Sequence, residues 1–235
     1  SGNKKSFSKK NLELISRSLN QEQKRYSIYL CGGDTTFSKD LSFTITSIGF
    51  SDKIIFRNKA KLDDDIYVTG NLGDSFVGLK VLQKKINLNK ILTNYFKKKY
   101  YLPNLHMGIT KKLLSIANTS IDISDGLVTD LDKLINNQKL SYKLFLGDVP
   151  ISKNFKRLVD QKVLKKINSV SCGDDYQILF TASPSKSRII SKISKSLGIK
   201  ISKIGKICAY KQKYQIIDEK NKKIALKNKG YYHKF

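Results

Sequence analysis

Ser120-Ile121-Asp122-Ile123-Ser124-Asp125-Gly126-Leu127, residues 120–127, together with Leu131 and Leu134 just beyond, decides the fold class. Ser120 to Ile123 reads as a short strand, Ser124-Asp125-Gly126 as a turn, and Leu127, Leu131 and Leu134 as the apolar stripe of a helix. Strand, turn and helix in that order are the grammar of an α/β unit. Asp122 then ends a strand and Asp125 opens a helix, which puts two carboxylates near one sheet end with Ser124 between them. Mg²⁺ typically takes one or two protein carboxylates and fills its octahedron with water and substrate phosphate, so this is a candidate metal site. Helix capping by Ser124 or Asp125 is the purely structural alternative.

The grammar recurs outward. Asp65 to Thr69 predicts a strand leading into Gly70-Asn71-Leu72-Gly73-Asp74, and Phe76, Leu79 and Leu82 continue as a helix. Upstream, Leu12, Ile15 and Leu19 give an amphipathic helix over residues 8–24 with Ser8 as N-cap. Tyr26 to Cys31 predicts a strand that stops at Gly32-Gly33-Asp34, and the alternation of Leu41, Phe43 and Ile45 with Ser42, Thr44 and Thr46 predicts a second over Leu41 to Phe50. Downstream, strands are predicted at 141–146, Ile178 to Thr181 and Ile199 to Cys208, with a turn at Gly173-Asp174-Asp175 and a helix from Ser183-Pro184 to about Leu197. This order predicts a sheet with helices packed on it. The boundary that composition supports is the basic stretch at 51–61.

The 235 residues carry 45 Lys+Arg against 19 Asp+Glu, a net charge of +26, with 40% apolar residues, enough for a packed core. So basic a chain suggests a nucleic-acid partner. Only five of the cations are Arg, however, and base-edge readers favour the bidentate Arg fork, so a solvated lysine surface is the preferred reading and nucleic acid is not the expected partner. No stretch approaches the roughly 18–20 apolar residues of a membrane span, and Ser1 to Lys10 has no apolar signal core, so no membrane association is expected. Cys31, Cys172 and Cys208 form no C-x-x-C pair, which disfavours a disulfide framework or thiolate zinc site and suits a cytoplasmic protein. With only His106 and His233, Ser-His-Asp triads and multi-His metal sites are disfavoured. There is no G-x-x-x-x-G-K-[ST] and no G-x-G-x-x-G.

Three further features are candidate site elements. At Gly32-Gly33-Asp34 the backbone N–H groups can approach a phosphate while Asp34 holds a cation, a tight turn with a capping Asp being the alternative. Gly173-Asp174-Asp175-Tyr176 is an acidic turn with an aromatic neighbour, and Gly230-Tyr231-Tyr232 lies near the C-terminus. Either reads equally as an ordinary loop, and Arg57 among so many lysines as a solvated surface residue.

Taken together and in order, GGDTT (Gly32 to Thr36), DIYVTGNLGDSFVGL (Asp65 to Leu79), IDISDGL (Ile121 to Leu127), CGDDYQILF (Cys172 to Phe180) and KGYYHKF (Lys229 to Phe235) resemble the thiamine-monophosphate kinases, from about Asn11 to the end of the chain. The resemblance implies an aminoimidazole-ribonucleotide-synthetase-like α/β fold. Residues 1–52 would be the remaining part of an N-terminal α/β sheet domain that binds ATP and Mg²⁺, and 53–235 a C-terminal α/β domain. It implies transfer of the ATP γ-phosphoryl group to thiamine monophosphate, giving thiamine diphosphate, in a homodimer. Asp34, Asp122 and Asp125 fall on catalytic Mg²⁺-ligand positions; Gly33, Asp34, Arg57 and Ser124 on ATP contacts; Asp174 and Tyr231 on substrate contacts.

The chain departs from the family pattern in carrying Asp174 and Gln177 where Glu is usual, and Leu102-Pro103-Asn104-Leu105-His106 where an R-P-x-P-R run is usual. Family chains also begin with a further acidic segment, so the resemblance reads this sequence as N-terminally truncated and inactive by itself. The chemistry suits the inventory, because an attacking phosphate oxygen is already anionic and needs no general base. Two rival readings are a Lys-rich nucleic-acid-binding module and another ATP-using synthetase of the same superfamily.

Overall fold

The computed structural model describes residues 1–210, 214–226 and 228–231. The chain forms two compact units, Ser1–Ser51 and Asp52–Phe235.

In the first unit, helix α1 spans Lys9–Tyr26, with the Ser8 hydroxyl accepting from the Asn11 N–H and Ser27 in the left-handed conformation closing its end. The residues before the helix run beside the 36–42 segment: Gly2 N–H donates to Thr36 O at 3.1 Å, and Ser42 N–H to Ser1 O at 2.9 Å. The strands expected over Tyr26 to Cys31 and Leu41 to Phe50 do not form. Tyr26 belongs to the helix, and among the described residues the only β contact in this unit is the isolated Gly2–Phe37 bridge. An alternating pattern specifies a strand only when a neighbouring strand takes its N–H and C=O groups. Here no strand pairs with it, and Phe43, Ile45 and Phe50 are 61%, 78% and 98% exposed.

The second unit contains β1 (Asp65–Thr69), α2 (Asp74–Leu82), α3 (Lys90–Tyr101), α4 (Thr110–Ile116), β2 (Thr119–Asp122), α5 (Leu127–Leu134), β3 (Leu140–Phe145), α6 (Lys153–Asp160), β4 (Ile178–Ala182), α7 (Ser187–Leu197), β5 (Ile201–Ala209), β6 (Gln215–Ile217) and β7 (Lys223–Ile224). These strands make one sheet in the order β2-β4-β1-β5-β3-β6-β7. The fold is thus the expected mixture of helices and a sheet. The strand–helix–strand order does not produce parallel neighbours, since every pair is antiparallel except β3 with β6.

Strand β1 is buried along its whole length because apolar layers cover both faces. Ile66 and Val68 join a core with Leu127, Leu131 and Leu134 of α5, while Tyr67 stacks on Phe180 in a second core with Ile190 and Ile193 of α7. A third cluster joins α2, α3 and α6 through Val77, Phe96 and Phe155. Each fully buried Leu of α5 contributes roughly 1.5–3 kcal/mol, and together they fix the helix whose first turn carries the candidate site.

Candidate active site

β2 delivers Asp122 to the sheet end, with Asp122 opposite Ile178 of β4. Beyond the strands the two segments stay paired: Ile123 N–H donates to Gln177 O, Tyr176 N–H to Ile123 O and Asp174 N–H to Ser124 O, each at 2.9 Å. The approach is so close that a Cβ on Gly173 would lie 1.8 Å from Ser124 O, which explains the glycine in the acidic turn. From the other side Tyr231 N–H donates to Asp125 O at 2.9 Å, and a Cβ on Gly230 would lie 2.5 Å from that oxygen. Residues 122–126 are therefore held between the Gly173 turn and the Gly230 segment.

The loop's own amides are occupied. Asp130 of α5 is fully buried, and its Oδ2 accepts from the N–H groups of Ser124, Asp125 and Gly126 at 2.9, 2.9 and 3.1 Å. Lys133, one turn along the helix, donates to Asp130 Oδ1 at 2.9 Å and to Asp125 Oδ2. Burial lowers the Lys133 pKa, but the bonds to Asp125 and Asp130 outweigh it and hold the ammonium above its ordinary value. Neither Asp130 nor Lys133 was among the residues expected at the site. The signal for Asp130 is its position three after Leu127 and one before Leu131, on the apolar stripe, where an acid must have partners.

Arg57, Asp122 and Ser124 line one open depression of about 590 Å³, together with Asp130 and Lys133. Asp122 is exposed, and among the described residues its carboxylate takes no hydrogen bond or ion pair. Asp125 joins this rim through Lys133. Among the described residues no group of three or more His, Cys, Asp or Glu converges as a metal cage. The donor set nevertheless fits Mg²⁺, which needs only one or two carboxylate oxygens when phosphate and water supply the rest.

Asp174 is half-buried in a left-handed conformation, φ 65°, followed two residues later by Tyr176 at φ 49°. Two non-glycine residues so placed mark a strained turn. Desolvation, then the nearby Asp125 charge, raises the Asp174 pKa. The Tyr231 side chain is 62% exposed. Asp34 and Gly33 lie in the first unit, exposed, with Asp34 accepting from its neighbour Thr35 N–H at 2.7 Å. Tyr232 to Phe235 of the last motif, with His233, lie outside the described residues.

Asp175 serves the scaffold: its buried carboxylate accepts from the N–H groups of Gly73 and Ser75 at 2.7 and 3.3 Å, capping α2. Desolvation pushes its pKa up to about 7, against the two backbone bonds. Gln177, buried beside it, accepts from the Thr69 hydroxyl and donates to the carbonyls of Asp175 and Asn104. Pro103, Asn104 and His106 line a separate cavity of about 180 Å³ with Asp175 and Gln177, away from the Arg57 depression.

The fold is the aminoimidazole-ribonucleotide-synthetase-like α/β fold shared with the solved structures it resembles. These include the hydrogenase maturation protein HypE of E. coli (TM-score 0.66, 14% identity, covering 97% of this chain and 71% of that one). The thiamine monophosphate kinase of Aquifex aeolicus matches at TM-score 0.77 and 21% identity over 95% of this chain and 72% of its own, and a ThiL complexed with AMPPCP and TMP at 0.76 and 21% over 96% and 70%. In sequence, the thiamine-monophosphate kinase of Buchnera aphidicola subsp. Schizaphis graminum is 37% identical over 97% of this chain and 68% of its own length. The chain belongs to the thiamine-monophosphate kinase family. It spans 68%, 65% and 60% of three such relatives. No family model matches the chain.

Proposed function

We propose that the protein transfers the γ-phosphoryl group of ATP to the phosphate of thiamine monophosphate. An anionic phosphate oxygen of the acceptor forms the new P–O bond as the bond from the γ-phosphorus to the β,γ-bridging oxygen breaks, giving thiamine diphosphate and ADP. Arg57 and Ser124 contact the nucleotide, Asp122 and Asp125 hold Mg²⁺, and Asp174 and Tyr231 face the thiamine moiety. In the same reading Gly33 and Asp34 supply a nucleotide contact and a further metal ligand. Mg²⁺ supplies charge neutralisation of the phosphates at this site. The chain's own task is alignment: it anchors the carboxylates on a loop whose amides are tied to Asp130, and it presents a guanidinium to developing phosphate charge.

One observation carries this reading. Arg57, Asp122 and Ser124 share a depression whose rim residues, 124 and 125, are bonded to the backbone N–H groups of Asp174 and Tyr231. The family likeness and the neighbour complexed with AMPPCP and TMP support the choice of substrates. A homodimer and a cytoplasmic setting belong to the same proposal. The family likeness supports the first, and the three free cysteines the second. The test is thiamine diphosphate formation from ATP and thiamine monophosphate by the protein as the cell makes it. The expected result is Mg²⁺-dependent turnover that drops by at least a hundredfold, the loss of several kcal/mol of charge stabilisation, in Asp122→Asn. Unaltered turnover in that variant would refute the site.

A further inference from the structure

Lys133 is held by two carboxylates of unlike freedom. Asp130 is enclosed, with a side chain of zero exposure and three backbone N–H groups on its other oxygen. Asp125 lies at the loop surface, 21% exposed, and the Lys133 side chain beside it is 39% exposed and lines the same depression as Arg57 and Asp122. A divalent cation arriving at Asp125 meets an oxygen that already holds an ammonium, and two like charges a few ångströms apart repel strongly where water is partly excluded.

We propose that Lys133 is a built-in counter-ion that keeps Asp125 in position before metal binds and is expelled from Asp125, while retaining Asp130, when a divalent metal takes its place. The inference rests on the reading of Asp125 as a metal ligand. Asp130 serves as the anchor that stops the lysine from leaving the site: its bond at 2.9 Å tethers the ammonium one helical turn below the loop. The expelled head stays at the depression, where it adds to the positive charge of Arg57 facing a phosphate. Lys133 is thus a positioning residue that sets metal affinity lower than the carboxylates alone would give.

The test uses Mn²⁺ as the probe, by calorimetric titration of the whole chain. Lys133→Met removes the competing charge and keeps the apolar stem; Lys133→Gln serves as a second neutral variant should the first fold poorly. Either neutral variant should bind Mn²⁺ about tenfold more tightly than the wild type, whereas Lys133→Arg, which keeps the charge, should stay within about twofold. The neutral variants should also melt at a lower temperature without metal and recover with Mn²⁺, because binding stabilises the state that holds the ligand. Equal or weaker Mn²⁺ binding by the neutral variants overturns the inference. Asp125→Asn separates this failure from that of the underlying reading. If Asn at 125 abolishes Mn²⁺ binding while the lysine variants leave it unchanged, only the counter-ion role fails; if it leaves Mn²⁺ binding intact, or wild type binds none, Asp125 is no ligand and both fail.

Discussion

Gln177 shows how one atom decides a residue type. Its amide nitrogen donates to the carbonyls of Asp175 and Asn104 while its oxygen accepts from Thr69. A carboxylate here would turn a donor into a buried charge facing two carbonyl oxygens. Gln177→Glu should therefore destabilise the protein by about 2 kcal/mol, read from urea unfolding at neutral pH; no change would mean that the loop around His106 rearranges to accept the charge. Asp130 carries more. Asp130→Ala leaves the N–H groups of Ser124, Asp125 and Gly126 without their acceptor and Lys133 with Asp125 as its one carboxylate partner, and should cost about 3–5 kcal/mol, measured the same way. That residue was not among those expected from the sequence: an acid on an apolar stripe is a signal, but spacing does not show that a helix folds back over the loop preceding it. Asp122 and Ser124 were legible as candidates from the strand–turn–helix pattern, with helix capping as the alternative, and Arg57 only through the family resemblance, since alone it reads as a solvated surface residue.

Asp175 and α2 set a pH response at the scale of an element. In the unfolded chain the carboxyl titrates near 3.8, and in the fold near 7 because burial penalises the charge. The folded state therefore binds the extra proton between about pH 4 and 7, so stability from this group is present at the acid end and is lost as pH rises through 7. Asp175→Asn should flatten this fall, seen as a smaller difference between urea midpoints at pH 4.5 and 7; an unchanged slope would place the proton elsewhere. Elements with both faces covered were well legible: β1 was expected at Asp65 to Thr69 and spans those residues, because its apolar run is buried whichever neighbour it takes. Pairing direction was not, since a strand–helix–strand order is compatible with an antiparallel sheet when the connections return along it. The alternating stretch of Leu41 to Phe50 failed for a related reason: alternation describes a face and says nothing of the strand that must lie alongside.

At the scale of the whole molecule the net charge of +26 acts as self-repulsion, screened over about 10 Å at 0.1 M salt. Raising NaCl from 20 to 200 mM should raise the melting temperature by a few degrees; a lower one would mean that local ion pairs, such as Lys203 with Asp65, outweigh the excess. The fold and family are legible in the sequence because motifs from distant segments recur together, and three of them are joined by backbone bonds around residues 122–126. The proposed activity requires that this junction bind a metal–nucleotide. Its most direct test is calorimetric titration of the chain with Mg²⁺–AMPPCP, comparing wild type with Asp122→Asn and Arg57→Ala. At least tenfold weaker nucleotide binding is expected in each variant with unchanged melting temperature, whereas wild-type affinity in both would contradict metal–nucleotide binding at this junction.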